Sequence, residues 1–485
     1  MIRGLSKHAI LFAIYGASAV VLAAVAAYGV HLEGLPDLMV WHTVRLDAEF
    51  RASDAGKVKT LADYRAREEQ LFAQVKARVY DKVPLEARRR LNRYAAGSLS
   101  DPLVQPVNWN RTFELSVPQP RGGVLLLHGL SDSPYSLRAL GERLHALGHH
   151  VVGLRLPGHG TAPAALLHVH WRDMAAATRL AARDLRRRLG ADRPLYIIGY
   201  STGAALAVEY ALARLQGEDL PAVEKLVLIS PAIGVSPAAA FAVWQGRISV
   251  WLGLPKVAWT DIGPEYDPFK YTSFTVNAAD QVHGITRAIS ERLTELGRNG
   301  PVVGMPKILA FQSAVDATVS APAVVDTLLR RLAPGGHEAV VFDLNRHADA
   351  VELFRAGALE VSGHLLRGPA LPFALTVLTN TRTDSLELHA IHRAPMSNEV
   401  TRQPTELVWP EEIFSLSHVA LPFPPDDPIY GAKPPVLEKM IFLGKPELLG
   451  ERGLLTVSPT VLLRLRHNPF YSYMNDRVER FLEAH

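Results

Sequence analysis

The first hydrophobic pattern along the chain is a long uncharged stretch near its beginning. Residues 9–30 contain no charged side chain. At about 1.5 Å per residue, a helix of this length crosses a ~30 Å hydrocarbon core. Arg3 and Lys7 precede the stretch, and basic residues favour the cytoplasmic side. The pattern therefore predicts a single transmembrane helix, within residues 1–30, with the N-terminus inside and the rest of the chain on the outer, periplasmic or extracytoplasmic face.

A cleaved signal peptide is the competing interpretation of the same stretch. Ala24-Val25-Ala26 fits a small-residue cleavage site. The apolar region of a signal peptide is only about 7 to 15 residues long, however, so the length favours a retained anchor.

The second pattern has the period of an amphipathic helix. Between Lys57 and Val83, apolar residues recur with Arg and Glu between them, which predicts a surface-packed helix in an N-terminal extension over 31–107. The apolar positions are Val58, Leu61, Tyr64, Leu71, Phe72, Val75 and Val79.

The third pattern begins at Gly122, where short apolar runs alternate with helix-like stretches. Such alternation predicts an α/β fold: a mostly parallel central sheet covered by helices on both faces. The predicted strands are 124–128, 151–155, 194–199, 225–230, 307–313 and 338–344. The predicted crossover helices are 138–147, 172–189, 204–215 and 323–332.

Two interruptions of this alternation predict insertions in one domain over 108–485. Residues 233–304 are rich in Pro and aromatic side chains, which is typical of a cap that covers a substrate pocket. Residues 348–417 form the second interruption. The aromatic residues of the predicted cap are Phe241, Trp244, Trp251, Trp259, Tyr266, Phe269 and Tyr271.

Composition removes several classes of chemistry. Hydrophobic residues make up 48% of the 485 residues and charged residues 21%, as in folded globular proteins. The net charge of +4 is too small to indicate a nucleic-acid partner. The chain has no cysteine, which excludes disulfides, thiolate nucleophiles and zinc–cysteine sites. Any nucleophile must therefore be an oxygen.

The sequence Gly199-Tyr200-Ser201-Thr202-Gly203 joins a predicted strand to a predicted helix. A sharp strand-to-helix turn of this kind, a nucleophile elbow, holds its serine in a strained backbone conformation. Glycines at the outer positions let neighbouring chain pass close by. The pattern predicts Ser201 as the nucleophile of an acyl-transfer enzyme.

Attack on a carbonyl creates an oxyanion, which this type of site stabilises with two backbone amides. The amide of Thr202, directly after the nucleophile, is the first. The loop His128-Gly129-Leu130, after the strand that begins at 124, offers the second, which we assign to Leu130. We interpret His128 as a structural residue of this loop.

A serine nucleophile also needs a histidine base and a carboxylate that orients it. Asp316 follows the strand 307–313 at its carboxyl end, where such sheets place their sites, and Asp343 is the second candidate acid. Two histidines follow in the chain order Ser, acid, His. His347 has the spacing of a domain without insertions, whereas His418 precedes the stiff loop ALPFPPDDPIYG. These residues alone leave both histidines open.

Taken together, the motifs identify a family resemblance. HGLSDSPYS at 128–136, LPGHGTAP at 156–163, GYSTG at 199–203, the loop around Asp316 and SHV at 417–419 resemble the monoacylglycerol lipase, bacterial carboxylesterase and serine aminopeptidase branch of the α/β-hydrolases. The resemblance covers about 108–430. In that branch the catalytic histidine is often followed by valine, which favours His418 over His347.

The resemblance implies a serine hydrolase that cleaves small acyl esters through Ser201, Asp316 and His418. The apolar stretch 9–30, which lies outside the resemblance, predicts that this hydrolase is anchored in a membrane. It implies no metal and no organic cofactor. A serine peptidase of the aminopeptidase type uses the same triad and is the first alternative. A catalytically silent scaffold with the same fold is the second, although the intact motif residues disfavour it.

Overall fold

The computed structural model describes residues 34–234, 255–316, 321–347, 349–435, 440–445, 457 and 459–484, with scattered residues between 8 and 29. The helix predicted over 9–30 thus lies largely outside the described residues, and so do Phe241, Trp244 and Trp251 of the predicted cap. Among the helices that the described residues form, none has both the length and the apolar character needed to cross a bilayer.

A ten-stranded sheet forms the centre of the described structure, in the order β1-β3-β2-β4-β5-β8-β9-β10-β11-β12. The seven central strands of this order, β3, β2, β4, β5, β8, β9 and β10, are parallel to one another. At the two edges, β1, β11 and β12 pair in antiparallel fashion. A separate hairpin, β6-β7, lies in the predicted cap. The strands are β1 Phe113–Leu115, β2 Gly123–Leu127, β3 His150–Leu154, β4 Leu195–Tyr200, β5 Lys225–Ile229, β6 Trp259–Asp261, β7 Phe274–Thr275, β8 Lys307–Ser313, β9 Glu338–Phe342, β10 Ala374–Asn380, β11 Glu387–Arg393 and β12 Val400–Val408.

Helices cover both faces of this sheet. Local chemistry sets several of their ends: Thr60 and Asp63 cap α1 reciprocally, and Gly190, with φ of +76°, ends α3. The helices of seven or more residues are α1 Leu61–Arg78, α2 Arg138–Ala146, α3 Trp171–Leu189, α4 Thr202–Leu215, α5 Val276–Leu296, α6 Ala321–Thr327, α7 Ala356–Arg367 and α8 Tyr471–Glu483. Two four-residue helices, Val40–Thr43 and Pro459–Leu462, are also present among the described residues.

Alternate residues of the buried strands supply two hydrophobic cores, one on each face. Leu125 and Leu127 of β2 pack with α3, α4 and α5, while Val124 and Leu126 pack with α2 and α8. Successive side chains of a strand point to opposite faces, so a strand that is apolar throughout must be covered twice. The predicted parallel sheet with helices on both faces is confirmed.

The N-terminal extension is joined to the sheet by buried ion pairs. Arg155, which follows β3, places Nη2 2.9 Å from Glu49 Oε1 and Nε 2.8 Å from Glu68 Oε1 of α1. The Tyr64 hydroxyl of α1 donates to the Arg155 carbonyl oxygen at 2.8 Å. All four residues are buried. The extension is therefore an integral layer of the folded domain, and the helix predicted over 57–83 is α1.

Residues 349–417, within the second predicted insertion, extend the same sheet. They contain α7, β10, β11 and β12. After β12 the chain returns across the sheet: the Asn345 N–H donates to the Phe414 carbonyl oxygen at 2.9 Å, and Ser313 Oγ donates to the Leu416 carbonyl oxygen at 2.9 Å. The return brings the segment before His418 onto the end of β8.

The described part of the cap is fixed to the domain through α5. This helix packs on α4, where the buried Glu209 accepts from Arg179 of α3 at 2.9 Å and from Arg292 of α5 at 3.4 Å. A carboxylate shared by two guanidinium groups orients three helices at once.

Candidate active site

Ser201 lies in the turn between β4 and α4, with φ of 53° and ψ of −115°. Positive φ is strained for a residue with a Cβ atom. Backbone hydrogen bonds on both sides hold the turn: the Ser201 N–H donates to the Ile229 carbonyl oxygen at 2.9 Å, and the Ser201 carbonyl oxygen accepts from the Ala232 N–H at 3.0 Å. The side chain is 8% exposed.

The two flanking glycines are required by close approach of the backbone. A Cβ atom on Gly199 would lie 2.4 Å from Ala204 Cα, and one on Gly203 would lie 2.0 Å from the Leu127 carbonyl oxygen. Both distances are far below van der Waals contact, so a side chain at either position would push the turn away from β2 or from α4. The geometry is that of a nucleophile elbow.

The loop after β2 passes directly beside this elbow. A Cβ atom built on Gly129 would lie 3.2 Å from Ser201 Cβ and 2.9 Å from the Tyr200 ring. Among the described residues, the amide N–H groups of Leu130 and Thr202 donate no hydrogen bond. The Thr202 amide is the first of α4, where helix geometry leaves it without a partner. Both amides are thus available next to the serine.

His128 holds the loop in place through both ring nitrogens. The Leu156 N–H donates to Nε2 at 3.0 Å, which leaves Nδ1 to donate to the Gly129 carbonyl oxygen at 2.8 Å. Burial lowers the pKa of His128 well below its usual range. A neutral ring with both nitrogens occupied is a structural residue.

Asp316 and His418, which are distant in sequence, are brought together. His418 Nδ1 lies 2.7 Å from Asp316 Oδ2, and Gln312 Nε2 of β8 donates to the same oxygen at 3.0 Å. The carboxylate can only accept, so Nδ1 carries the proton and Nε2 is left as the basic nitrogen. Both side chains are buried.

The His418 ring lies against the residue that precedes the serine. The Tyr200 and His418 ring centroids are 5.3 Å apart, and the Tyr200 hydroxyl donates to the His418 carbonyl oxygen at 3.4 Å. Within the described residues, no hydrogen bond joins Ser201 to His418. Hydrogen bonds of catalytic groups are often long without substrate and shorten in the complex.

The other two candidates lie elsewhere. Asp343, at the end of β9, is buried and accepts from Ser362 Oγ at 2.7 Å, Thr379 Oγ1 at 2.7 Å and Arg346 Nε at 2.9 Å. His347 is exposed, with Nδ1 3.2 Å from the Thr383 carbonyl oxygen. Neither contacts the other or the elbow.

The structure also shows supporting residues that the sequence did not indicate. Gln312 orients Asp316, and Tyr200 supports His418. From the cap, the Tyr271 N–H donates to the Ser131 carbonyl oxygen at 2.7 Å, next to Leu130. These side chains are polar or aromatic residues within ordinary patterns, so no local signal could have identified them. In the described part of the chain, no three His, Asp or Glu side chains are grouped as metal ligands would be.

Comparison with known proteins finds similarity to one family model and to a curated relative. Residues 118–348 match the family described as "Serine aminopeptidase, S33". A thermostable monoacylglycerol lipase from Bacillus sp. (strain H-257) is 28% identical over 130 residues, 27% of this chain and 48% of the relative. The chain thus spans about half the length of this curated relative. The matching family is thus described as a serine aminopeptidase, whereas the curated relative is a monoacylglycerol lipase.

The chain is also similar to two solved structures at lower identity. A metagenome-derived lipolytic enzyme is 24% identical, with 54% of this chain and 98% of that chain covered and a TM-score of 0.40. A monoacylglycerol lipase from Paleococcus ferrophilus is 20% identical, with 52% and 98% covered and a TM-score of 0.35.

Proposed function

We propose that this protein is a serine hydrolase that cleaves carboxylic esters, with Ser201 as nucleophile, His418 as general base and Asp316 as the acid that orients it. The observation that carries the proposal is the 2.7 Å contact between His418 Nδ1 and Asp316 Oδ2, against the turn that holds Ser201 at positive φ. A buried acid–imidazole pair beside a strained serine is an arrangement suited to acyl transfer.

The proposed reaction has two steps. His418 Nε2 takes the Ser201 proton as Oγ bonds to the ester carbonyl carbon, and the amides of Leu130 and Thr202 donate to the oxyanion. The bond to the alcohol oxygen then breaks, and His418 returns the proton to that oxygen. Water next attacks the acyl-enzyme with the same base, which releases the carboxylic acid and restores Ser201.

The choice of an ester over a peptide rests on the similar proteins. The curated relative is a monoacylglycerol lipase, whereas the description of the matching family names a serine aminopeptidase. The same serine, base and oxyanion donors serve both bond types, so cleavage of a peptide by an aminopeptidase-type activity is the second candidate. Turnover of p-nitrophenyl esters beside aminoacyl anilides distinguishes the two.

Labelling with a fluorophosphonate tests the proposed nucleophile. We expect wild-type protein to be labelled and Ser201→Ala to be unlabelled. Ser230 offers a matched control, because it also follows a parallel strand at positive φ, 42°, but is fully buried, and residues 231–234 directly after it are not helical. Ser230→Ala should keep its label. A labelled Ser201→Ala would refute the proposal, and an unlabelled wild type would support the silent scaffold instead.

We also propose that the segment 9–30 anchors the enzyme in a membrane, with the hydrolase domain on the outer face. The uncharged length supports this, and so do the described side chains within the segment, because Phe12 is 82% exposed, Tyr15 69% and Val20 70%. Exposed aromatic and aliphatic side chains in succession suit a lipid environment.

Membrane fractionation tests the anchor. The full chain should stay in the membrane fraction after an alkaline carbonate wash, while a chain beginning at residue 34 should be released. A reporter enzyme that is active only on the outer face, fused to the C-terminus, should be active. Release of the full chain, or an inactive reporter on a folded fusion, would contradict the proposal.

A further inference from the structure

The proposed oxyanion donor Leu130 lies in a tight turn, residues 129–132, directly after β2. The Asp132 N–H donates to the Gly129 carbonyl oxygen at 3.3 Å, and Ser131, the third residue of the turn, has φ of 59°. Positive φ is strained for a residue with a Cβ atom, and turns with positive φ at the third residue usually have glycine there. The turn 129–132 therefore needs contacts from outside to keep its shape.

The cap supplies such a contact through a backbone group. The Tyr271 N–H donates to the Ser131 carbonyl oxygen at 2.7 Å. That carbonyl and the Asp132 N–H belong to one peptide group. The Gly129 carbonyl and the Leu130 N–H belong to another. Because a trans peptide group is planar and its C=O and N–H point in opposite directions, Tyr271 orients the first group, and the Asp132 N–H of that group then holds the second.

The result is a chain of hydrogen bonds that ends at the proposed oxyanion donor. It runs from the Tyr271 N–H through the peptide group of Asp132 to that of Leu130. His128 Nδ1 also donates to the Gly129 carbonyl oxygen, at 2.8 Å. The Leu130 N–H is thereby directed away from both donors to that carbonyl. Hydrogen bonds linked in series polarise one another, so the Leu130 amide is both oriented and made a stronger donor.

The Tyr271 side chain anchors these bonds to another part of the domain. Its hydroxyl accepts from the Thr161 N–H at 2.7 Å and donates to the Gly158 carbonyl oxygen at 3.3 Å, both in the loop after β3. The N-terminal extension holds that loop, because the Gly158 N–H donates to Glu49 Oε2 at 2.9 Å. The Arg93 guanidinium lies 5.4 Å from the centroid of the buried Tyr271 ring. The hydroxyl therefore fixes the position of the Tyr271 backbone.

We infer that Tyr271 is a positioning residue of the proposed hydrolase, which holds the turn 129–132 so that the Leu130 amide is ready for the oxyanion. The inference rests on the proposed function and adds a role for the cap in the rate of the reaction. Tyr271 acts through Leu130 and not on the substrate. An oxyanion forms in both steps, so loss of this positioning lowers kcat and leaves binding of the intact ester almost unchanged.

Tyr271→Phe tests this inference in the full-length protein. The variant removes only the hydroxyl and leaves the buried Thr161 N–H without that acceptor. We expect kcat on p-nitrophenyl hexanoate to fall by about tenfold or more and KM to change by less than about threefold, because a displaced oxyanion donor affects the transition state. Rates are expressed per serine that fluorophosphonate labels at completion, so that unfolded molecules are not counted.

Tyr210→Phe is the matched control. Tyr210 is a buried residue of α4, and its hydroxyl donates to the Pro221 carbonyl oxygen at 3.0 Å, beyond the end of that helix. The variant loses a comparable hydrogen bond, but this bond does not involve the turn 129–132. Both kcat and KM of Tyr210→Phe should therefore equal those of the wild type.

A pair of ketones reports on the oxyanion donors directly. Ser201 Oγ adds to the carbonyl carbon of hexyl trifluoromethyl ketone, the serine proton passes to His418 Nε2, and the carbonyl oxygen becomes an oxyanion. The matching hexyl methyl ketone binds without this addition. Tyr271→Phe should raise the inhibition constant of the trifluoromethyl ketone by the factor by which it lowers kcat/KM, and should leave that of the methyl ketone unchanged.

Relief of the strain at Ser131 tests the cause. Glycine adopts positive φ without strain, so Ser131→Gly lets the turn keep its shape with less support from Tyr271. The loss of kcat caused by Tyr271→Phe should therefore be smaller in the Ser131→Gly protein than in the wild type, by a factor of about three or more. Independent effects of the two substitutions would contradict the inference.

The outcomes separate the inference from the proposed function. If Tyr271→Phe keeps the wild-type kcat, the inference is wrong and the esterase function is unaffected. The same holds if the loss appears in KM while the inhibition constant of the trifluoromethyl ketone is unchanged, because Tyr271 then shapes only the substrate pocket. If Ser201→Ala still hydrolyses the ester, both proposals fail together.

Discussion

The neighbouring parallel strands β8 and β9 are each followed by a turn that contains a buried aspartate. The two aspartates have different partners. The turn after β8 carries Asp316, and the turn after β9 carries Asp343 and, four residues later, His347. Both carboxylates are buried. Asp316 is paired with an imidazole from a segment about a hundred residues away, whereas Asp343 is surrounded by Ser362, Thr379 and Arg346.

The difference shows that the partner, rather than the strand end, decides what a buried acid can do. A carboxylate with three donors fixed around it is satisfied and orients structure. A carboxylate held by an imidazole Nδ1 fixes the tautomer of that ring and leaves Nε2 basic. Between His347 and His418 the chain forms β10, β11 and β12 and then runs back across the sheet. His418, and not His347, therefore lies beside Asp316.

The histidines give the largest expected effect. His418→Ala should lower kcat/KM on an ester by a factor on the order of 10⁴ or more, because Ser201 would lose its base. His347→Ala should retain activity within about twofold, since its exposed ring hydrogen-bonds to the Thr383 carbonyl oxygen, away from Ser201. Initial rates on p-nitrophenyl hexanoate measure both. Loss of activity in the His347 variant alone would reverse the comparison.

Substitution of the two acids compares the turns directly. Asp316→Asn should lower kcat by a factor on the order of 10⁴, since an amide no longer enforces the tautomer that leaves Nε2 basic. Asp343→Asn keeps the shape of its side chain and should affect kcat by less than about tenfold. Full kinetics on one ester, with circular dichroism to verify folding, give the result. Equal losses would show that the two turns do not differ in function.

For the free energy of unfolding we expect the larger effect at the turn after β9, which contains Asp343. Asp343→Ala should lower the free energy of unfolding by about 3 to 5 kcal/mol, because the Arg346 guanidinium and two buried hydroxyls lose their acceptor. Urea denaturation measures the change. The matched variant Asp326→Ala removes an exposed carboxylate paired with Arg330 and should change stability by at most about 1 kcal/mol. A similar cost for both would mean that burial of Asp343 is energetically unimportant.

Asp132, in the loop that follows β2, is another buried carboxyl group and predicts a pH effect on stability. Burial raises its pKa from 3.8 to about 6. The folded state therefore retains a proton that the unfolded state has lost between about pH 4 and 6, so stability falls as pH rises through this window. The two-unit shift corresponds to roughly 3 kcal/mol at most.

The variant Asp132→Asn removes this titration. We expect the wild type to lose stability relative to Asp132→Asn between pH 4 and pH 7, as measured by urea denaturation at each pH. Asp326→Asn, at an exposed position, should leave the pH dependence of the wild type unchanged. If wild type and Asp132→Asn change in parallel with pH, Asp132 does not titrate as its burial requires.

Much of the fold could be predicted because its signals are local. All six strands predicted from apolar runs form, and the four crossover helices begin and end within a few residues of their predicted limits, apart from α6, which ends five residues early. The sequence did not predict the other strands of the central sheet, β1, β10, β11 and β12, or the cap hairpin β6-β7. Strand β12 is mostly exposed, so its residues lack the apolar pattern that marks a buried strand.

By itself the sequence determined the elbow and its surroundings, because these features depend on residues close in the chain. Glycines at 199 and 203 are needed wherever a strand turns sharply into a helix, and the period of the apolar residues requires a sheet covered on both faces. The spacing of motifs in one sequence could not choose between His347 and His418. Tertiary structure alone decided which imidazole reaches Asp316, because that contact depends on how three edge strands add to the sheet and where the chain returns. The energy of such pairing comes from residues far apart in sequence, and no local pattern encodes it.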